Sequence, residues 1–108
     1  MHPRRGEIWW VRLDPVQGSE IAKTRPCIVV TTNVANERRR TVVVVPFSTS
    51  PNAAPPIRLS LVCEGRRCVA VIDQIRAVTK ERLLGKIEDL PPEDLRRVDD
   101  AIRRILEL

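Results

Sequence analysis

The chain has 108 residues, 43% of them hydrophobic and 31% charged, with a formal net charge of +5 at pH 7. This length suits a single domain over residues 1–108 that buries roughly two thirds of its unfolded surface, and it leaves no room for a second one. Residues 1–50 hold eight basic and four acidic side chains, so they carry most of the positive excess. Sixteen arginines against three lysines favour a phosphate-bearing or nucleic-acid partner.

Targeting segments and metal sites are not expected. The first six residues lead into a mixed stretch rather than an apolar run, and no apolar run approaches membrane-spanning length. We therefore predict a cytoplasmic protein with no membrane contact. Three cysteines and one histidine are too few for an ordinary four-ligand zinc site, so we predict no metal and no cofactor. Cys63 and Cys68 could face each other across a hairpin, but reduced thiols are expected in a cytosol.

The first half of the chain reads as three strands. Glu7–Leu13 is rich in β-branched and aromatic residues and ends at an Asp-Pro turn, and a polar loop over residues 14–24 follows. A second strand is predicted over Pro26–Thr32, then a plain connection over residues 33–40. Thr41–Pro46 is β-branched nearly throughout, which predicts a central strand buried on both faces.

The second half begins with a predicted loop over Phe47–Pro56, which holds three prolines. Ile57–Cys63 alternates cleanly and Cys68–Ile72 returns after a glycine turn, so a hairpin is expected. Residues 73–78 continue or bend that strand. Residues 80–84 suggest one helical turn, and residues 85–88 a short final strand.

A C-terminal helix completes the predicted elements. Pro91-Pro92-Glu93-Asp94 supplies proline and acid at its start, and apolar residues recur afterwards at helical spacing. Five or six short strands with one terminal helix indicate a mainly β (α+β) protein. The fold class expected is a small, strongly curved antiparallel barrel with short helices.

The segment most suited to chemistry is the entry to the second strand. Gly18-Ser19-Glu20 is followed by Lys23-Thr24-Arg25-Pro26, which leads into an apolar strand. Pro26 favours an extended backbone at Arg25, so the guanidinium lies where a loop becomes a rigid strand. The alternative is that Arg25 is only a solvated strand-entry charge and Glu20 only a loop acid.

The side chains available narrow the chemistry. A serine triad lacks its histidine base, and neither a glycine-rich phosphate loop nor a dinucleotide fingerprint occurs. RNA, however, carries its own nucleophile, the 2′-OH. An enzyme then needs to align the backbone, accept one proton, neutralise the phosphorane and protonate the leaving 5′-oxygen, all of which Arg, Lys, Glu, Ser and Thr can do.

Several ordered motifs together resemble a known family over nearly the whole chain: Arg5–Val11, Leu13–Val16 with Gly18–Glu20, Lys23–Pro26, Thr41–Pro46 and Asp73–Arg76. They look like the successive motifs of the MazF/PemK-type toxins of bacterial toxin–antitoxin systems. The resemblance implies a compact, SH3-like barrel that forms a homodimer. It also implies that the protein cleaves single-stranded RNA (mRNA) at specific sequences, without a metal, and leaves a 2′,3′-cyclic phosphate. It also implies inhibition by a small acidic antitoxin.

The resemblance assigns site residues by position. Arg25 matches the catalytic arginine, Ser48 the strand-end hydroxyl, and Glu20 the loop acid, although Thr49 lies close enough to replace Ser48 in that role. Gln74 and Arg76 match positions that line the RNA groove. The stretch Ile21-Ala22-Lys23 departs from the glycine-containing form often seen there. Further RNA contacts are expected from basic and hydroxyl side chains at Lys23, Thr24, Thr49, Arg38, Arg39 and Arg40, with a solvated loop as the alternative for the three consecutive arginines.

The general base is the open chemical question. A guanidinium group keeps its proton below about pH 12, so Arg25 suits charge stabilisation better than proton removal. Glu20 is the better candidate base if its loop folds over the RNA, with Ser48 donating to a non-bridging oxygen. Two other classes remain open at this stage: a same-fold gyrase inhibitor of the CcdB type, and a non-catalytic basic RNA-binding module.

Overall fold

The computed structural model describes residues 2–15 and 17–108. The described residues form a seven-stranded antiparallel sheet with two α-helices and two short 3₁₀ turns. The strands are β1 (Glu7–Arg12), β2 (Thr24–Val29), β3 (Thr41–Ser48), β4 (Arg58–Cys63), β5 (Arg66–Val71), β6 (Arg76–Thr79) and β7 (Leu83–Asp89). The helices are α1 (Asn33–Arg38) and α2 (Pro92–Leu106), and the 3₁₀ turns are Ile72–Gln74 and Lys80–Arg82.

The sheet curves because its central strand changes neighbours along its length. The strand order is β4-β5-β3-β2-β1-β7, and β6 pairs with β3 off this path. The first half of β3 pairs with β6, whereas Phe47 and Ser48 pair with Ala70 and Val69 of β5. Two register shifts in the pairing of β1 with β7 bend the sheet further. The predicted mainly β fold, with a curved antiparallel sheet and a C-terminal helix, is confirmed. The sheet forms a half-barrel.

Both faces of the sheet are buried at its centre, as the β-branched sequence of residues 41–46 predicted. On one face, the helix-side core includes Ile8, Ile28, Val45, Phe47, Ile72 and Val98. On the other face, the second core consists of Val11, Leu13, Cys27, Val29, Val42, Val44 and Val78. Adjacent residues of β2 and β3 alternate between the two cores because successive side chains of a strand point to opposite faces.

Helix α2 closes the first face. Pro92 begins it, acidic residues occupy its first turn, and Val98 and Ala101 are buried against the sheet. The turn before β1 fits closely beneath this helix, since a Cβ added to Gly6 would meet Leu95 Cδ2 at 3.1 Å. Gly6 also has a φ of 90°, which glycine adopts readily and other residues rarely do. The helix predicted from the sequence is confirmed.

Four predicted boundaries were wrong. Strand β2 begins at Thr24, because its first residues already pair with β1, and it ends before Thr32. The connection over residues 33–40 contains helix α1. Strand β3 continues through Ser48, because Phe47 is buried and pairs with β5. Residues 73–78 neither extend β5 nor simply bend it, since a 3₁₀ turn redirects the chain into β6.

Candidate active site

Arg25 of β2 and Ser48 of β3 line one cavity of about 300 Å³, and both residues are half-buried. The β2–β3 pairing ends at Cys27 and Pro46, and Arg25 and Ser48 lie two residues beyond this pair on their strands. The Ser48 Oγ accepts a hydrogen bond from the Ser50 N–H at 3.1 Å. The structure therefore brings together the arginine and the hydroxyl that the sequence selected.

The same cavity takes a positive wall from the β4–β5 hairpin. Arg66 and Arg67 line it together with Glu64, so with Arg25 the cavity has three cationic side chains against one carboxylate. Sequence analysis missed both hairpin arginines as site residues. The sequence pattern that could have indicated them is a basic pair after a glycine turn. Only the pairing of β5 with the end of β3 shows that this turn lies at the site.

Glu20 belongs to a different cavity. A space of about 240 Å³ is lined by Ser19, Glu20, Asp73, Gln74, Ile75 and Arg76. The Glu20 carboxylate accepts a hydrogen bond from the Gln17 N–H at 2.7 Å and stays exposed. The structure thus brings Glu20 together with Gln74 and Arg76 rather than into the cavity of Arg25 and Ser48. No described residue lines both cavities.

Arg76 lines the Glu20 cavity and lies on the same sheet face as Arg25. It faces Val44 of β3 and lies close to the Cys27 thiol, which is itself two residues from Arg25 along β2. Burial raises the pKa of Cys27 to about 12, and the Arg76 charge opposes part of this rise. The Arg76 Nη1 atom is buried without a hydrogen-bond partner among the described residues. This N–H group is therefore available to an anion entering from the cavity.

Lys23 and Thr24 act mainly through their backbone. The Lys23 carbonyl accepts a hydrogen bond from the Leu13 N–H at 2.8 Å, and the Thr24 carbonyl accepts one from Arg25 Nη1 at 3.3 Å. The Lys23 side chain is exposed. Strand alternation directs the Thr24 side chain to the face opposite Arg25. Thr49, next to Ser48, is exposed and lines the cavity.

The three consecutive arginines lie far from this site within one subunit. Arg38 ends α1, and Arg39 and Arg40 precede the first residue of β3, whereas Ser48 is its last. Seven residue steps at strand spacing separate these ends by about 23 Å. All three arginines are exposed. An RNA contact by them stays a prediction that this single chain does not bring into the site.

Trp9 and Trp10 point to opposite faces of the sheet, because successive side chains of a strand alternate between faces. Trp9 packs against the second core and donates a hydrogen bond from Nε1 to Glu7 Oε1 at 3.0 Å. Trp10 points to the opposite face and is 41% exposed. Trp10 is therefore the one whose ring is free to stack on a base.

The cysteines are free thiols, and burial is the main cause that raises their pKa, to about 11 for Cys63 and about 12 for Cys68. Such thiols are poor nucleophiles. Over residues 2–15 and 17–108, no group of three or more His, Cys, Asp or Glu side chains is arranged to hold a metal ion.

A curved half-barrel that presents arginines and hydroxyls along a groove defines the class: a small β-barrel protein built to hold a phosphodiester backbone. Comparison with known proteins agrees, since the profile of the family described as the PemK-like, MazF-like toxin of type II toxin–antitoxin systems matches residues 4–106. The chain belongs to this family.

Named relatives align along nearly the entire chain. It is 37% identical over 114 residues to the endoribonuclease MazF9 of Mycobacterium tuberculosis, with 97% of each chain covered. It is 30% identical over 110 residues to the endoribonuclease EndoA of Bacillus subtilis, covering 97% of this chain and 95% of the relative. These relatives favour an RNA-cleaving enzyme over a gyrase inhibitor or a passive RNA-binding module.

Solved structures share the fold. MazF of Deinococcus radiodurans superposes with a TM-score of 0.88 at 20% identity, covering 100% of this chain and 99% of that one. A mycobacterial endoribonuclease in complex with its cognate antitoxin superposes with a TM-score of 0.82 at 20% identity, covering 98% and 96%. Within the described residues, neither helix combines the length and the apolar character needed to cross a membrane.

Proposed function

We propose that this chain is the toxin of a type II toxin–antitoxin system and cleaves single-stranded RNA at specific sequences, without a metal ion, by attack of the ribose 2′-OH. The observation that carries the proposal is that Arg25 and Ser48 line one cavity, which also has a cationic wall. Cleavage of mRNA would stop translation and growth.

Arg25 and Ser48 act on the scissile phosphate. Strand pairing fixes both backbones, so the guanidinium and the hydroxyl are oriented before RNA binds. Arg25 neutralises the charge that builds up on the phosphorane, and Ser48 donates a hydrogen bond to a non-bridging oxygen. Thr49, at the rim of the cavity, contacts the adjoining backbone.

Glu20 removes the 2′-OH proton, and it faces the reacting ribose from the neighbouring cavity when an RNA strand spans both cavities. The 2′-oxygen then bonds to phosphorus, the P–O5′ bond breaks, and the leaving 5′-oxygen takes a proton from Arg25. Arg76 lines the Glu20 cavity and offers its unpartnered Nη1 to a phosphate, and Lys23 adds a cation at the end of the loop. A bound RNA strand would therefore run from the hairpin arginines past Arg25 to Arg76.

The partners follow from the same surface. A cationic groove accepts an acidic, extended antitoxin segment in place of RNA, so high salt should weaken both ligands together. The related mycobacterial endoribonuclease was solved with its cognate antitoxin. We further propose a homodimer that acts in the cytoplasm.

The test is cleavage of a long single-stranded RNA in EDTA by the wild-type protein, Arg25→Ala and Arg12→Ala. Arg12 is a matched control, because it is an exposed arginine of β1 opposite Thr24 that lines neither cavity. We expect discrete cuts with 2′,3′-cyclic phosphate ends from the wild-type protein and Arg12→Ala. Arg25→Ala should cleave about 1,000-fold more slowly.

Three results would contradict the proposal. Retardation of the RNA without cuts would indicate a binding module. If the protein neither cut nor bound the RNA, the gyrase-inhibitor hypothesis would remain. Cleavage by a folded Arg25→Ala protein at the wild-type rate would remove Arg25 from the mechanism.

A further inference from the structure

One side chain holds the loop that carries Glu20. Among the described residues, every hydrogen bond that joins residues 17–22 to the rest of the protein goes to Gln74. The Ile21 N–H donates to Gln74 Oε1 at 2.8 Å, and Gln74 Nε2 donates to the Ser19 carbonyl at 3.4 Å. The remaining hydrogen bonds of this segment link Gln17 and Glu20 within the loop itself.

Gln74 is presented from a rigid part of the fold. It ends the 3₁₀ turn that starts at Ile72, a fully buried residue of the helix-side core. The Ile72 N–H donates to the Ile57 carbonyl at 2.8 Å, and the Ile75 N–H closes the turn onto the Ile72 carbonyl at 3.2 Å. The loop opposite has exposed side chains over residues 17–20 and only Ile21 partly packed against the second core. The loop thus takes its position from the turn.

The two hydrogen bonds of Gln74 reach the residues on either side of Glu20. Ser19 and Ile21 are its two chain neighbours, one giving a carbonyl and the other an N–H. A primary amide can accept one of these hydrogen bonds through its oxygen and donate the other through its nitrogen at the same time. The Gln74 amide is therefore already engaged on both of its atoms before RNA arrives.

We infer that Gln74 is a positioning residue, which sets the rate of cleavage by fixing the loop on both sides of Glu20 rather than by contacting RNA. This inference rests on the proposed role of Glu20 as the proton acceptor. It predicts that loss of the amide slows the chemical step while RNA binding is nearly preserved. It also predicts that, in the free protein, loss of the Gln74 amide speeds hydrogen exchange at the Ile21 amide.

The first test measures hydrogen exchange at the Ile21 amide in the free, full-length protein. Gln74→Met keeps the side-chain length but neither hydrogen bond, and Gln74→Glu keeps the acceptor for Ile21 while its ionised form loses the donor. Thr79→Val is the control, because Thr79 is exposed on β6 and lines neither cavity. We expect exchange to rise about tenfold in Gln74→Met, less in Gln74→Glu and not at all in Thr79→Val. Unchanged exchange in Gln74→Met would overturn the anchoring.

The second test separates a positioning residue from an RNA contact. We expect kcat of Gln74→Met to fall about tenfold while KM stays within about twofold of the wild-type value. In a Glu20→Gln background, Gln74→Met should have no further effect, because Gln74 acts through Glu20. A raised KM with unchanged kcat, or additive losses in the double variant, would overturn the inference.

The two proposals fail differently. If the wild-type protein cleaves no RNA, the proposed function fails, and the exchange measurement alone decides whether Gln74 anchors the loop. If the wild-type protein cleaves RNA but Gln74→Met exchanges faster and cleaves normally, the function stands and the positioning role is wrong.

Discussion

The candidate site has two halves that are held in different ways. Arg25 and Ser48 lie on β2 and β3, where backbone pairing and two buried cores fix them. Glu20 lies on an exposed loop whose hydrogen bonds to the remainder of the described chain run through Gln74. The strand half is thus formed by the sheet, whereas the loop half takes its position from one side chain. This difference fits a division of labour in which the strands stabilise charge and the loop delivers the base.

The largest effect should come from the strand half. Ser48→Ala should slow cleavage by about 100- to 1,000-fold, because a donor aimed at the developing phosphorane charge is removed. Thr49→Ala should change the rate by less than about fivefold, because Thr49 lies at the exposed rim. Single-turnover cleavage at saturating enzyme measures both. The reverse ranking would transfer the catalytic hydroxyl from Ser48 to Thr49.

The loop half should show a smaller loss and no change in stability. Glu20→Gln should slow cleavage by about 100-fold, because the proton acceptor is lost. The amide oxygen can still accept the hydrogen bond from Gln17, so the midpoint of thermal unfolding should not move. A rate within about threefold of wild type would place the general base elsewhere.

Stability should depend on the strand half more than on the loop half. Ile28→Val removes a methylene group from a fully buried side chain of β2 and should lower the free energy of unfolding by about 1 kcal/mol. The matched change Ile21→Val, in the partly buried loop, should lower it by less than half as much. Urea unfolding of both variants gives the comparison. Equal losses would mean that the loop packs as firmly as the strand.

The smallest effect concerns the backbone of the loop. Lys23 has a φ of 66°, in the left-handed region that glycine occupies without strain. Lys23→Gly should raise the free energy of unfolding by about 0.5 kcal/mol, since the relief of strain exceeds the entropy gained by the unfolded chain. Gly18→Ala, at a φ of 59°, should act in the opposite direction. Destabilisation by Lys23→Gly would show that the lysine side chain itself stabilises the loop.

Much of the strand half could be predicted because its signals are local. The β-branched run at 41–46, the Arg-Pro strand entry and the proline-started helix each follow from backbone preferences within a few residues. The role of the hairpin arginines could not be predicted in this way. Arg66 and Arg67 reach the cavity only because β5 pairs with the last two residues of β3, which are about twenty positions away in sequence.

The sequence by itself determined the class of the fold, the family and the charged and hydroxyl side chains available for chemistry, because periodicity, composition and ordered motifs are properties of neighbouring residues. Only the tertiary structure decided how these side chains are grouped. It placed Arg25 and Ser48 in one cavity, placed Glu20 in a separate cavity with Arg76, and showed that the amide of Gln74 holds the loop. These groupings depend on strand register and on contacts between residues more than 50 positions apart, such as Ile21 and Gln74, which a linear pattern does not contain.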